Sequence, residues 1–194
     1  MQTTDPKITA EYKERIRQTL LELGIPLSHA TNRRQSIHPE GTDLVAIGSD
    51  QSGRVQRLER TAATQWQAMR ESAGHDSVEL AVVSAFRSFD YQKQIIARKL
   101  AAGQTLGQIL RVSALPGFSE HHSGRAIDIN TPGCPPLTEA FEQTTAYTWL
   151  TQHAQTFGFQ LSYPCGNPHG VSFEPWHWLH HESPPQLGHE HLED

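Results

Sequence analysis

Residues 119–128 read Ser-Glu-His-His-Ser-Gly-Arg-Ala-Ile-Asp, and residues 174–177 read Glu-Pro-Trp-His. In the first stretch a histidine pair runs into an alternating segment, Arg125–Asn130, that predicts a β-strand. Gly124 lets the chain turn between the two parts, because it tolerates backbone angles that other residues avoid. On the strand, Ala126 and Asp128 share one face while Ile127 and Ile129 share the other. The carboxylate therefore faces a cleft and the isoleucines enter the core. His121, Asp128 and His177 supply two imidazoles and a carboxylate, the three protein ligands that a catalytic zinc takes beside an open position. Glu174 is the natural general base, a carboxylate that takes a proton from water and returns it to a leaving amine. Glu174 and His177 are three residues apart, so a flat strand sends them to opposite faces. Pro175 suggests an edge or bulge that turns Glu174 inward.

Other readings of the same residues stay open. A histidine beside a carboxylate is usually an ordinary surface or core residue, so either motif alone is weak. His122 competes with its neighbour His121 as a ligand. Cys165 with His169 forms a softer metal pair. His180, His181, His189 and His191 read as solvated tail residues.

Outward from the motifs, apolar periodicity predicts a helix over 9–23, closed by Gly24-Ile25-Pro26, and a turn-rich loop over 27–42. A short strand is expected over 43–48. A second helix is expected over about 55–73, with Val55, Leu58, Ala62, Trp66 and Met69 on one face and Gly74 as its stop. The β-branched run 78–84 reads as a buried strand. A third helix over about 90–102 takes Asp90 as its N-cap and Gly103 as its stop. A fourth covers about 137–157, and strands follow at 159–163 and 171–179. Helices come first and strands cluster late, which favours an α+β fold with an antiparallel sheet. The chain reads as a single domain over 1–194, with a helical arm and loop at 1–42 and a polar tail at 182–194.

The bulk composition narrows the function. The chain has 194 residues, 36% hydrophobic and 19% charged, which is globular rather than disordered. A net charge of −5 argues against a nucleic-acid partner, which needs a basic face. No stretch approaches the roughly 18 apolar residues of a membrane span. The N-terminus lacks the apolar core of a signal peptide. As it stands the chain reads as cytoplasmic; with a leader removed it would be periplasmic or part of the cell envelope. Cys134 and Cys165 lie in no CxxC pair, and in an oxidising compartment they could form one disulfide.

Together, the two motifs resemble those of the VanY-type D-alanyl-D-alanine carboxypeptidases, peptidase family M15. Ser84-Ala-Phe-Arg-Ser-Phe-Asp-Tyr-Gln92 resembles that family's Ser-Gly-Tyr-Arg-Ser-x-x-x-Gln segment, with Ala85 for its glycine and Phe86 for its tyrosine. Leu115-Pro-Gly117 precedes the histidine motif as it does there, and the stretch from Tyr147 to Phe159 is similar to its helix-to-strand junction. The resemblance covers about residues 55–180. It departs at His122, where glutamine is frequent, and at 163–171, which reads as a cleft wall that bears on substrate preference.

The resemblance implies a hedgehog/DD-peptidase fold, a small antiparallel sheet carrying a zinc site and flanked by helices. It implies Zn2+ held by His121, Asp128 and His177, with Glu174 as base. Arg87 is implied to grip the substrate carboxylate and steady the oxyanion, and Ser119 and Gln92 to hydrogen-bond the substrate. Trp176 reads as packing behind His177. The substrate implied is a peptidoglycan stem peptide that loses a C-terminal D-alanine, by D,D- or by L,D-cleavage. An endopeptidase and a zinc-holding binding module are the remaining readings. The binding module has no use for Glu174 as a base, and the endopeptidase none for Arg87.

Overall fold

The computed structural model describes residues 8–31 and 36–181. Thr9 opens helix α1 (Ala10–Glu22), its hydroxyl accepting the Tyr12 N–H. Gly24, at φ 68°, closes it. The expected loop over 27–42 contains a short helix, α2 (Ser28–Thr31). Two strands, β1 (Leu44–Ser49) and β2 (Val55–Glu59), pair as an antiparallel hairpin.

That hairpin corrects the reading of a helix from residue 55. In β2, Gln56 and Leu58 are buried while Val55 and Arg57 are exposed, a period of two. Val55, Leu58 and Ala62 match helical spacing only by coincidence. The Glu59 carboxylate accepts the Thr61 and Ala62 N–H groups, so helix α3 (Arg60–His75) begins there and passes Gly74.

Strand β3 (Ala81–Ser84) is shorter than expected. Helix α4 (Phe89–Ala101) is capped by Ser88 rather than Asp90, which lies in its first turn. A helix that the periodicity did not reveal, α5 (Leu106–Val112), is held by a Thr105–Gln108 capping box. A 3-10 turn (Glu120–Ser123) leads into β4 (Ala126–Asn130). The expected helix over 137–157 is three pieces. A 3-10 turn (Glu139–Gln143) stops at Thr144, which caps α6 (Thr145–His153), and a second 3-10 turn (Ala154–Phe157) follows. Strands β5 (Phe159–Leu161) and β6 (His177–His180) are the last elements among the described residues.

The main sheet is antiparallel in the order β3-β4-β6-β5, as the α+β reading required. One apolar face packs Ile127, Ile129 and Trp178 against Trp66, Met69, Phe141 and Phe159. A second cluster joins Ile16 and Leu20 of α1 to Phe89 and Ile96 of α4 and Ile109 and Leu110 of α5. The N-terminal arm is thereby fixed to the helices behind the site. Among the described residues no helix is long and apolar enough to cross a membrane. Cys134 and Cys165 are unpaired. Of the four supposed tail histidines, His180 is buried in β6 with its ring 5.1 Å from Phe159. His189 and His191 lie outside the described residues.

Candidate active site

Asp128 and His177 are direct partners across β4 and β6, so their side chains emerge side by side on the face opposite the core isoleucines. His121 comes from the 3-10 turn before β4, at the end of which Gly124 adopts φ 73°. A Cβ on Gly124 would also lie 3.1 Å from the Glu59 backbone nitrogen, so the positive φ and the close approach both favour glycine here. One ligand atom from each of His121, Asp128 and His177 lies within 4.8 Å of the others, and all three residues are buried.

The hydrogen bonds assign the ring nitrogens. His121 Nδ1 donates to the Ala85 carbonyl at 2.6 Å, leaving Nε2 as a bare lone pair. That Nε2 is buried without a hydrogen-bond partner and faces Asp128 Oδ2 at 3.3 Å. Two electron-pair atoms in such proximity, shielded from water, fit a cation between them. His177 Nδ1 lies 2.9 Å from Asp128 Oδ1, while Nε2 donates to Glu120 Oε2 at 2.8 Å. The Ser162 hydroxyl donates to the same Glu120 oxygen at 2.6 Å. This arrangement of carboxylate, histidine and candidate ligand atom orients metal-binding imidazoles.

His122 is excluded as a ligand because both its nitrogens are committed. Nδ1 donates to the Arg87 carbonyl at 2.7 Å and Nε2 accepts the Gly117 N–H at 3.0 Å. Among the described residues the His-Asp-His set is the one group of three or more possible ligands, and neither Cys165 nor His169 joins it.

The charges follow from burial and contact. Burial, helped by the Arg87 charge, lowers His121 to about 4, so its ring is neutral and free to ligate. Burial opposes the charge on Asp128, but His121 and His177 outweigh it and hold the carboxyl well below the usual range. Burial also opposes His177, yet its bonds to Asp128 and Glu120 raise it to about 10. A cation at Nδ1 would take the place of that proton. Burial lifts Glu174 to about 7, against the pull of His177. A carboxyl near neutrality is suited to exchanging protons.

Glu174 does not reach the site through a strand bulge. Residues 174–177 form a turn in which the His177 N–H donates to the Glu174 carbonyl at 3.0 Å, and β6 begins only at His177. Pro175 thus acts by ending the strand, and Glu174 Oε2 stands 4.0 Å from His177 Nδ1.

These groups share a cleft of about 240 Å3, bordered by Arg87, Ser119, Glu120, Tyr163 and Trp176 beside the three candidate ligands. The Arg87 backbone is stitched to the histidine turn, its N–H donating to the His121 carbonyl at 3.1 Å. Its side-chain Nε is buried without a partner. Gln92 is not on the cleft wall. It is fully buried and its amide donates to the Ala114 carbonyl at 2.7 Å, bracing the segment that forms the wall. Trp176 both packs on the main core and borders the cleft. Tyr163 and Val171 bear out the wall expected from 163–171. Sequence reasoning missed Glu120 and Lys99, which also border the cleft. Glu120 was inside the quoted motif, but only a 3-10 turn brings it to His177, and residue spacing does not disclose that geometry.

The model of the VanY family, described as D-alanyl-D-alanine carboxypeptidase, matches residues 55–183. A D-alanyl-D-alanine carboxypeptidase of Enterococcus faecalis is 31% identical over 139 residues. That match takes in 66% of this chain and 50% of the relative, so the chain spans about half the length of that protein. Among solved structures, the LD-carboxypeptidase LdcB aligns with a TM-score of 0.65 at 32% identity, over 73% of this chain and 69% of that one. A mutant of the vancomycin-resistance D,D-pentapeptidase VanY, in complex with Zn(II), aligns at 0.57 and 30%, over 76% and 84%.

Proposed function

From the premise that the chain belongs to the VanY D-alanyl-D-alanine carboxypeptidase family, we propose that it is a zinc-dependent D,D-carboxypeptidase that releases the terminal D-alanine of peptidoglycan stem peptides. The observation that carries this reading is the unpartnered His121 Nε2 facing Asp128 in a cleft that also holds Glu174 and Arg87. His121, Asp128 and His177 would hold the zinc, which would supply Lewis acidity towards a carbonyl and a water.

The chain's own residues do the rest. Arg87 offers two parallel donors to the free carboxylate, which an exopeptidase must recognise. The same positive charge favours the oxyanion that develops at the carbonyl. Glu174 takes a proton from the attacking water and delivers it to the departing amine. Glu120 and the Ala85 carbonyl keep His177 and His121 turned towards the site. Ser119, buried at the cleft wall, is placed to hydrogen-bond the peptide. Gln92 acts from behind, through the Ala114 segment.

The test is D-alanine release from a muropeptide pentapeptide and from a tetrapeptide, before and after chelation. The proposal expects release from the pentapeptide, lost on chelation and restored by zinc. Release from the tetrapeptide alone would make the enzyme an L,D-carboxypeptidase, and release unaffected by chelation would refute the zinc assignment.

A further inference from the structure

The cleft contains a second cation that no motif marks. Lys99, in the last turn of α4, borders the same cavity as Arg87 and Glu174. Its Nζ donates to Ser113 Oγ at 2.6 Å. Ser113 Oγ spends its own proton on the Val112 carbonyl at 2.7 Å, so it presents a lone pair to the ammonium. An ammonium has three donors, and this bond fixes its position while occupying one of them.

Several bases elsewhere on the molecule are ion-paired, Arg15 with Glu40 and Asp90, Arg54 with Asp50, Arg60 with Asp43 and Lys93 with Glu22, while Arg70 and Arg98 lie over the rings of Trp66 and Tyr91. Among the described residues, neither Arg87 nor Lys99 has a carboxylate partner. Burial lowers the pKa of Lys99 and the nearby Arg87 charge lowers it further, against the pull of Glu174. Arg87 feels the charges of Asp128 and Glu174 and Lys99 that of Glu174, yet neither cation hydrogen-bonds to those carboxylates, so each keeps donors for an entering anion. The first turn of α5 and its cap serve the same end, since they deliver the Val112–Ala114 segment that holds the lysine.

Resting on the proposed carboxypeptidase reading, we propose that Lys99 is a specificity-determining residue: with Arg87 it makes the cleft a two-cation receptor for the terminal carboxylate of the substrate. A neutral or amidated C-terminus offers the two cations no charge to pair with, so the pair favours exopeptidase over endopeptidase action.

The experiment uses the zinc-loaded chain as wild type, Lys99→Gln and Lys99→Arg, with Lys93→Gln as a control outside the cleft. Two readouts are taken. One is KM and kcat for an N-acyl-D-Ala-D-Ala peptide and its C-terminal amide. The other is binding of N-acetyl-D-alanine and its amide, followed by the fluorescence of the tryptophans, Trp176 of which borders the cleft.

For Lys99→Gln the expected result is a KM for the acid raised about tenfold or more, the loss of one charge-assisted bond, with little change for the amide. The binding preference for N-acetyl-D-alanine falls in parallel, and Lys99→Arg restores both. An unchanged acid-to-amide preference in Lys99→Gln overturns the proposal and leaves Lys99 as a brace for Ser113. Failure of Lys99→Arg to restore the preference overturns it too, as does a wild type that binds acid and amide alike. If the wild type hydrolyses neither peptide but its acid preference still depends on Lys99, the receptor stands and the carboxypeptidase reading fails.

Discussion

Glu174, buried, and Glu120, partly buried, are carboxylates near one histidine with opposite electrostatics. Glu120 accepts bonds from His177 and Ser162 and, despite its burial, is held at about 2. Glu174 has no comparable donor and is raised by burial to about 7. The sign of the resulting pH dependence is fixed. Between its ordinary 4.5 and about 7, folded Glu174 binds more protons than the unfolded chain, so its contribution to stability is lost as pH rises through that window. Metal-free Glu174→Gln should therefore gain melting temperature over metal-free wild type as pH increases from about 4.5 to about 7; parallel melting curves across that range would contradict the assignment. Glu120→Gln keeps shape but loses the charge behind His177, and zinc affinity should fall about 10–100-fold in a chelator competition. Residue identity made His121, Asp128, His177 and Glu174 legible as candidates in the sequence, because their chemistry is restricted to few residue types, whereas Arg87 came only with the family resemblance. Gln92 shows the limit: a polar residue in a family motif turned out to brace the wall rather than border the cleft.

At the scale of elements, the histidine turn is the piece on which the site depends. His122 donates to the Arg87 carbonyl and accepts the Gly117 N–H, tying the β3–α4 loop to the segment before the turn. Burial holds its ring at about 4, so it stays neutral and keeps one donor and one acceptor. His122→Ala leaves two buried backbone groups unsatisfied, and about 2–4 kcal/mol of stability should be lost in denaturant unfolding. Glutamine, with a donor and an acceptor on one amide, should recover part of it. Little change in His122→Ala would show that the two loops are held by other means. Strand β4 was readable because its alternation is strict and its two faces differ in chemistry. Strand β1 was read within a residue of its place, but its partner β2 was not, because three apolar residues happened to match a helical face until β-pairing was seen. Helix α6 was likewise overextended, since Thr144 interrupts an apolar pattern without breaking its period.

Considered as a whole molecule, the fold places a four-stranded sheet between its apolar core and its metal-competent face. The three candidate ligands come from the turn before β4, from β4 and from β6. Binding a cation there joins these elements only in the folded state, so zinc should stabilise the chain. At about 100 times the dissociation constant the gain is about 2.7 kcal/mol, visible as a melting temperature that rises with free zinc. A melting temperature independent of zinc would argue against a site built from these three segments. The α+β class followed from element order, whereas the second core cluster joining α1, α4 and α5 did not. That cluster depends on contacts between segments about 80 residues apart, including α5, whose capping box lies in a short and weakly periodic stretch.

The central claim is that a zinc-bearing site uses Glu174 to hydrolyse a terminal D-alanyl bond. It is tested most directly by comparing wild type with Glu174→Gln, measuring bound zinc and D-alanine release from a pentapeptide muropeptide on the same preparations. The account predicts equal zinc in both, release by the wild type, and a loss of about 10²–10⁴-fold in the variant. Zinc-loaded Glu174→Gln that releases D-alanine at the wild-type rate would contradict it.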